Sequence, residues 1–177
     1  IKKEVENWRK TINAIGLDAE VVLGSSFQFD KEYKLDVMRL AQASTINRGL
    51  RSMQEIARDI ENATISQLLY PLMQVADIKY LDADVAEGGM EQRKVHMMGK
   101  DMMQILKHPF VAVHTPLITS LKGPGEKMSK SIPGSGIAVT DSYEEIKRII
   151  SKAYCPEKIV KENPILQIAR LIIFPRI

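Results

Sequence analysis

Three short apolar runs, set between longer stretches of helical period, constrain this chain most. Glu20-Val21-Val22-Leu23 closed by Gly24, then Val85-Ala86, then Phe110-Val111-Ala112-Val113 read as short buried strands. Residues 4–15 place Val5, Trp8, Ile12 and Ile15 at helical spacing, with Gly16 where a C-cap belongs. Residues 31–43 read as a helix with Leu35, Met38, Leu40 and Ala41 inward. Ser44 or Thr45 restarts a second helix through Ile56, with Arg48, Arg51 and Arg58 as a solvated polar side. Thr64 and Gln67 form a capping box ahead of Ile65, Leu68, Leu69, Leu72, Met73, Val75 and Ile78, and Pro71 either kinks that helix or marks its true first turn. Gly88-Gly89 precede a helix over about 91–106, with Val95, Met98, Met102 and Ile105 inward. Ser142 and Glu145 form a second box, opening a helix to about Ala153, and Asn163-Pro164 starts a last helix toward Ile173. Strands alternating with longer helices predict an α/β layered fold.

Composition narrows the class without naming a task. At 177 residues, 45% hydrophobic and 27% charged, the chain is long enough to bury a core and ordinary for a globular protein. No run approaches the ~18 apolar residues of a membrane span. Ile1-Lys2-Lys3-Glu4-Val5-Glu6 has no apolar signal region. The single cysteine, Cys155, excludes an intrachain disulfide framework and points to a reducing compartment, so a cytoplasmic protein is expected. His96, His108 and His114 lack metal-ligand spacing, and no metal site is read. A net charge of +3 is too mild to imply nucleic acid by itself; RNA contact needs a local patch or a further segment.

Three constellations carry chemistry. Tyr70, Gln74 and Asp77 fall within roughly 60° of one another on a helix. A phenol, an amide and a carboxylate on one face suit a ligand with both an ammonium and a hydroxyl, and an ordinary amphipathic face is the alternative. Gly88-Gly89-Met90-Glu91-Gln92 occupies a strand-to-helix turn. Paired glycines allow close backbone approach, and a helix N-terminus offers N–H groups to a nucleotide or carboxylate. Gln92 reaches the same ligand; His96, one turn on, either faces the pocket or is a satisfied helical histidine. The third is the loop Gly125-Glu126-Lys127-Met128-Ser129-Lys130-Ser131, bounded by Gly123-Pro124 and Pro133-Gly134. Its lysines are point charges suited to phosphate, and its serines add donors; a solvated basic loop is the plain alternative.

Lys127-Met128-Ser129-Lys130-Ser131 is similar to the signature loop of class I aminoacyl-tRNA synthetases. With Tyr70-Pro71-Leu72-Met73-Gln74-Val75-Ala76-Asp77 and Gly88-Gly89-Met90-Glu91-Gln92-Arg93-Lys94-Val95-His96, it resembles the tyrosyl-tRNA synthetases of archaeal and eukaryotic type. Gly24-Ser25-Ser26-Phe27-Gln28 and Lys152-Ala153-Tyr154-Cys155-Pro156 fit the same family, and the likeness runs over nearly all of the chain. Lys130 departs from the serine common in those members.

The resemblance implies part of a Rossmann-like nucleotide-binding fold with parallel strands and flanking helices. Residues 1–140 would be the C-terminal portion of the catalytic domain, with its helical connective region and lysine loop. Residues 141–177 would be a helical connection toward an anticodon-binding domain. The family's His-x-Gly-His element is absent and is expected upstream of Ile1. The implied activity is ATP-dependent activation of L-tyrosine and its transfer to tRNA(Tyr), by a homodimer, with Mg2+ accompanying ATP. By the same resemblance Tyr70, Gln74 and Gln92 hold the amino end of tyrosine, Asp77 accepts from its phenol, and Phe27 and Gln28 lie near the ring. Gly88 and Gly89 admit the adenylate. Lys127, Met128, Ser129, Lys130 and Ser131 line the ATP loop, where Lys127 and Lys130 stabilise the phosphate during in-line attack by the tyrosine carboxylate. The alternatives are a tryptophanyl-tRNA synthetase and a non-catalytic tRNA-binding paralogue of the same fold.

Overall fold

The computed structural model describes residues 2–53, 62–126, 128–129 and 132–177. It divides into two compact units, Ile1–Pro116 and Leu117–Ile177. The first contains helices α1 (Lys2–Ala14), α2 (Lys31–Ala43), α3 (Ile46–Met53) and α4 (Ile65–Tyr80), strand β1 (Val85–Gly89), helices α5 (Arg93–Asp101) and α6 (Met103–Leu106), and strand β2 (Val111–Thr115). β1 and β2 pair in parallel, with Gly88 opposite His114. A parallel pair needs a long crossover, which α5 and α6 supply. The core joins Tyr33, Val37 and Leu40 of α2 to Leu72, Val75 and Ala76 of α4, and Val95 and Met98 of α5 to Met102 and Leu106.

Several expectations shift. On α2, Leu35 and Met38 are exposed, at 39% and 52%, and the buried ridge is Tyr33, Asp36, Val37 and Leu40. The cause is Asp36, which reads as a surface residue yet is buried. Its carboxylate accepts from Lys79 Nζ at 2.5 Å, Arg39 at 2.7 Å and the Tyr80 hydroxyl at 3.3 Å. Burial works to raise the Asp36 carboxyl, but these donors hold it below the usual carboxylate range.

Residues 20–23 form no strand. Leu23 keeps extended backbone (φ −84°, ψ 125°), but no described strand lies beside it. Gly88 and Gly89 are the last residues of β1 rather than a turn, and a 3-10 turn, Met90–Gln92, separates them from α5. The helix expected over 91–106 breaks at Met102, so α5 and α6 are distinct. α4 runs unbroken from its cap through Pro71, which therefore does not mark its start. Gly16, at φ +75°, closes α1: its N–H bonds Asn13 O at 3.0 Å and the Leu17 N–H bonds Ile12 O at 3.2 Å. The continuation of α3 to Ile56, and Arg58, lie outside the described residues.

The second unit contains α7 (Tyr143–Ser151) and α8 (Pro164–Ile168). Ser142 Oγ accepts the Glu145 N–H at 3.3 Å, but the Glu145 carboxylate turns to Arg148 instead of closing a box. Asn163 caps α8 as expected, its Oδ1 accepting the Leu166 N–H at 3.2 Å. The helical turns then widen over Ala169–Ile173 and tighten over Phe174–Arg176.

Candidate active site

The site is built outward from α4. The Thr64 cap is reciprocal: its hydroxyl accepts from Gln67 N at 3.4 Å, and the Gln67 side chain accepts from Thr64 N at 2.8 Å. From that start the helix presents Tyr70, Gln74 and Asp77 on one face. Asp77 is half-buried, and both its donors reach the same oxygen. The Tyr33 hydroxyl donates to Oδ1 at 2.7 Å, and Gln28 Nε2 donates to Oδ1 at 3.0 Å. Asp77 Oδ2 accepts from no described residue, and the one described side-chain oxygen both buried and unpaired is Glu91 Oε2. Tyr33 is fully buried, 3.1 Å from Met73 O, with its ring edge-on to Phe27 and Tyr80. Burial first, then the Asp77 hydrogen bond and charge, push its phenol well above the ordinary range, so it is a proton donor throughout neutral pH.

Gln28 is set by the 3-10 turn Gly24–Ser26, its N–H bonding Gly24 O at 2.8 Å. A Cβ on residue 24 would lie 2.7 Å from the Gln28 amide, so glycine there lets the side chain cross toward Asp77. Phe27 stacks on Tyr80 with ring centroids 6.1 Å apart.

One turn up α4 from Asp77, Gln74 Nε2 donates to Gln92 Oε1 at 3.1 Å. Gly88 packs beneath: a Cβ there would meet Gln92 at 3.1 Å and the His96 ring at 3.4 Å. Glu91 curls over Gly89. His96 is buried and satisfied, its Nδ1 3.0 Å from His114 Nε2 on β2, resolving the alternative left by the sequence. Burial, then the neighbouring His114, hold its imidazole below the ordinary value, against a smaller opposing pull from Glu87. Tyr70 is 55% exposed, on the open side of this face.

The same unit carries a groove of about 620 Å³ lined by Arg48, Arg51, Arg93, Lys94 and Asp101. Arg48 pairs with Asp101, so it belongs to this groove and not to a merely solvated face.

In the second unit the root of the lysine loop is pinned. Ser135 is buried; its Oγ accepts from Ser129 N at 2.9 Å and donates to Ser129 O at 2.8 Å. Met128 lies over Gly136, where a Cβ would come within 2.8 Å of it. Lys127, Lys130 and Ser131 lie outside the described residues.

The structure thus gathers Phe27, Gln28, Gln74, Asp77, Gly88, Gly89 and Gln92 in the first unit, while Met128 and Ser129 belong to the second. Sequence reasoning missed Tyr33, Glu91 and His114. Tyr33 stands at a core position of α2, where an aromatic reads as packing, and 44 residues separate it from Asp77. Glu91 stood inside a quoted motif without a role. His114, in an alternating strand, signals nothing until the parallel register sets it opposite Gly88, within 3.0 Å of His96 on α5.

The family model described as tRNA synthetases class I (W and Y) matches residues 2–168. The tyrosine–tRNA ligase of Methanocaldococcus jannaschii is 49% identical over 170 residues, which is 96% of this chain and 54% of that protein. That of Archaeoglobus fulgidus is 46% identical over 172 residues, 95% and 52% of the two. The chain spans about half the length of the curated relatives it matches. Among solved structures, the tyrosyl-tRNA synthetase of Archaeoglobus fulgidus complexed with L-tyrosine is similar with a TM-score of 0.87 and 45% identity, over 98% of this chain and 56% of that one. A tryptophanyl-tRNA synthetase from Giardia lamblia, at 18% identity and a TM-score of 0.66 over 82% of this chain and 45% of its own, shares the fold.

Proposed function

The chain belongs to the class I tRNA synthetases of the tryptophan and tyrosine group, and from that premise we propose that it is part of an enzyme that activates L-tyrosine with ATP and transfers it to tRNA(Tyr). The observation that carries this reading is Asp77, a carboxylate with one oxygen engaged by neighbours and the other without a hydrogen bond among the described residues, one turn from the Gln74–Gln92 amide pair. An acceptor at one end and amides at the other match the phenol and amino ends of tyrosine. The identity to tyrosine–tRNA ligases, far above that to the tryptophanyl structure, favours the same amino acid.

On this reading Tyr70, Gln74 and Gln92 bind the amino end, and Asp77 accepts from the phenol. Phe27 and Gln28 border the ring, and Gly88 and Gly89 give the adenylate room. The tyrosine carboxylate attacks the α-phosphate, pyrophosphate leaves, and Lys127 and Lys130 offset the charge that builds on phosphate. Met128, Ser129 and Ser131 complete the loop; Ser135 holds its root. Magnesium enters as part of the ATP substrate. The basic groove of Arg48, Arg51, Arg93 and Lys94 suits a stretch of the tRNA backbone. Met128 and Ser129 fall in the second unit, and residues 141–177 are proposed to continue as a helical connection toward an anticodon-binding domain. The enzyme is proposed to be a cytoplasmic homodimer; among the described residues no helix is long and apolar enough to cross a membrane.

The test is ATP–pyrophosphate exchange by the full-length protein with tyrosine, tryptophan and phenylalanine. Exchange driven by tyrosine alone is expected. Exchange driven by tryptophan overturns the substrate, and tRNA binding without exchange favours the non-catalytic paralogue.

A further inference from the structure

Two donors converge on a single oxygen of Asp77, and neither belongs to its own helix. The Tyr33 hydroxyl comes from α2 and the Gln28 amide from the turn before α2. An ionised carboxylate oxygen has about two lone-pair directions, so Oδ1 is saturated. Oδ2 takes no hydrogen bond from any described residue and is not sealed away from solvent. The last torsion of an aspartate is broad and does not by itself hold the carboxylate plane. Something outside the side chain must therefore decide which oxygen faces a ligand.

We propose that Tyr33 and Gln28 form a positioning clamp that occupies Oδ1 of Asp77 and leaves Oδ2 as the only acceptor presented to the substrate phenol, so that Tyr33 sets specificity without touching the substrate. This rests on the reading of Asp77 as the phenol acceptor. It also reassigns Gln28, whose amide is spent on Asp77 rather than on the ligand.

Three features argue that the clamp is built and not incidental. Tyr33 is 1% exposed, and its ring is locked edge-on between Phe27 and Tyr80, which holds its hydroxyl against Asp77 Oδ1 at 2.7 Å, with Met73 O the more distant acceptor at 3.1 Å. Its neighbour on the same ridge, Asp36, ties α2 to α4 through Lys79 and Tyr80, which fixes the distance the hydroxyl must span. Gly24 has no side chain where one would expel the Gln28 amide. The consequence is that, among the described residues, Asp77 offers the phenol an acceptor held in one orientation. Tyrosine donates its phenol proton to Oδ2; phenylalanine brings nothing, and a fixed carboxylate cannot turn to find another donor. A loose carboxylate could, and the discrimination would weaken.

The experiment is Tyr33→Phe in the full-length enzyme, which keeps the ring packing and deletes the donor. Pyrophosphate exchange is measured with tyrosine and with phenylalanine, alongside the melting temperature. The expected result is a kcat/KM for tyrosine about 10- to 100-fold lower with that for phenylalanine changed less than about 2-fold. An equal loss for both amino acids, or an unchanged ratio, overturns the clamp. A wild type that does not activate tyrosine overturns the functional reading itself, and the clamp with it. Should Tyr33→Phe fail to fold, Gly24→Ala tests the other donor. Displacing Gln28 must lower the same ratio, and an unchanged ratio in a folded protein overturns the proposal.

Discussion

If Asp77 is the phenol acceptor, as proposed, a substrate without a hydroxyl leaves its outward oxygen unpaired. A site that pairs with a substrate hydroxyl can reject the analogue lacking it by about 10⁴ to 10⁵, whereas an apolar pocket separates the two by about 10 to 200. Asp77→Ala is therefore expected to cut tyrosine activation heavily and phenylalanine activation little, collapsing their ratio. Exchange kinetics with both amino acids check it, and a variant that loses stability with its ratio intact contradicts it. Asp77 was legible because it lies on its own helix with Tyr70 and Gln74, where spacing alone defines a face. Tyr33 was not, because which residues of α2 meet α4 depends on packing. Asp36 shows the same limit from the other side. A charged residue argues for solvent, and only its donors Lys79, Arg39 and Tyr80 explain how it turns the helix by one ridge and leaves Leu35 and Met38 outside.

Between elements, the His96–His114 contact joins α5 to β2 at the β2 residue paired with Gly88. Only one hydrogen fits between two nitrogens 3.0 Å apart. The groups around His96 are His114, Glu87 and the edge of Phe110, and its folded imidazole is harder to protonate than a free one. A base with a lowered folded value contributes stability that is complete above its ordinary value of about 6.5 and is lost as pH falls through the folded value. The melting temperature of the intact protein is expected to hold between pH 7 and 8 and to fall below about 6.5, with a shallower fall in His96→Gln. Equal slopes for the two proteins remove the pair as the cause. At the lysine loop, Lys130→Ala is expected to lower the rate of activation more than the affinity for tyrosine, since the role proposed for Lys130 is to offset charge that develops in reaction. Rapid kinetics that show only weakened tyrosine binding contradict it. Helices with caps were legible here: Thr64, Asn163 and Gly16 each act where their side chain or φ demands. That residues 20–23 form no strand was not, because a strand is defined by a neighbour that an apolar run does not name.

For the molecule as a whole, the alternation of apolar runs predicted an α/β layered fold and the family resemblance implied parallel strands, and β1 beside β2 with α5 and α6 between them has that form. The grouping into compact units was less legible, since the boundary after Pro116 falls beside a strand with no glycine-rich linker to mark it. The ridge that Asp36 left outside bears on assembly. Leu35 and Met38 form an apolar outer side of α2, and we expect it to contribute to a two-fold contact in the full-length protein. Light scattering should give twice the chain mass, and Leu35→Glu with Met38→Glu should halve it; an unaltered dimer moves the contact elsewhere. The two-stranded sheet has a practical consequence. Parallel strands are ordinarily covered on both faces, yet Val85, Val111 and Val113 stand 45–58% exposed on one face of this pair. Among the described residues no further strand pairs with the outer edges of these apolar, β-branched strands, and such edges are a template for further strands. Expressed on its own, this 177-residue stretch should therefore be prone to inclusion bodies, and lysine at Val111 and Val113 should raise its recovered yield more than any change in growth temperature.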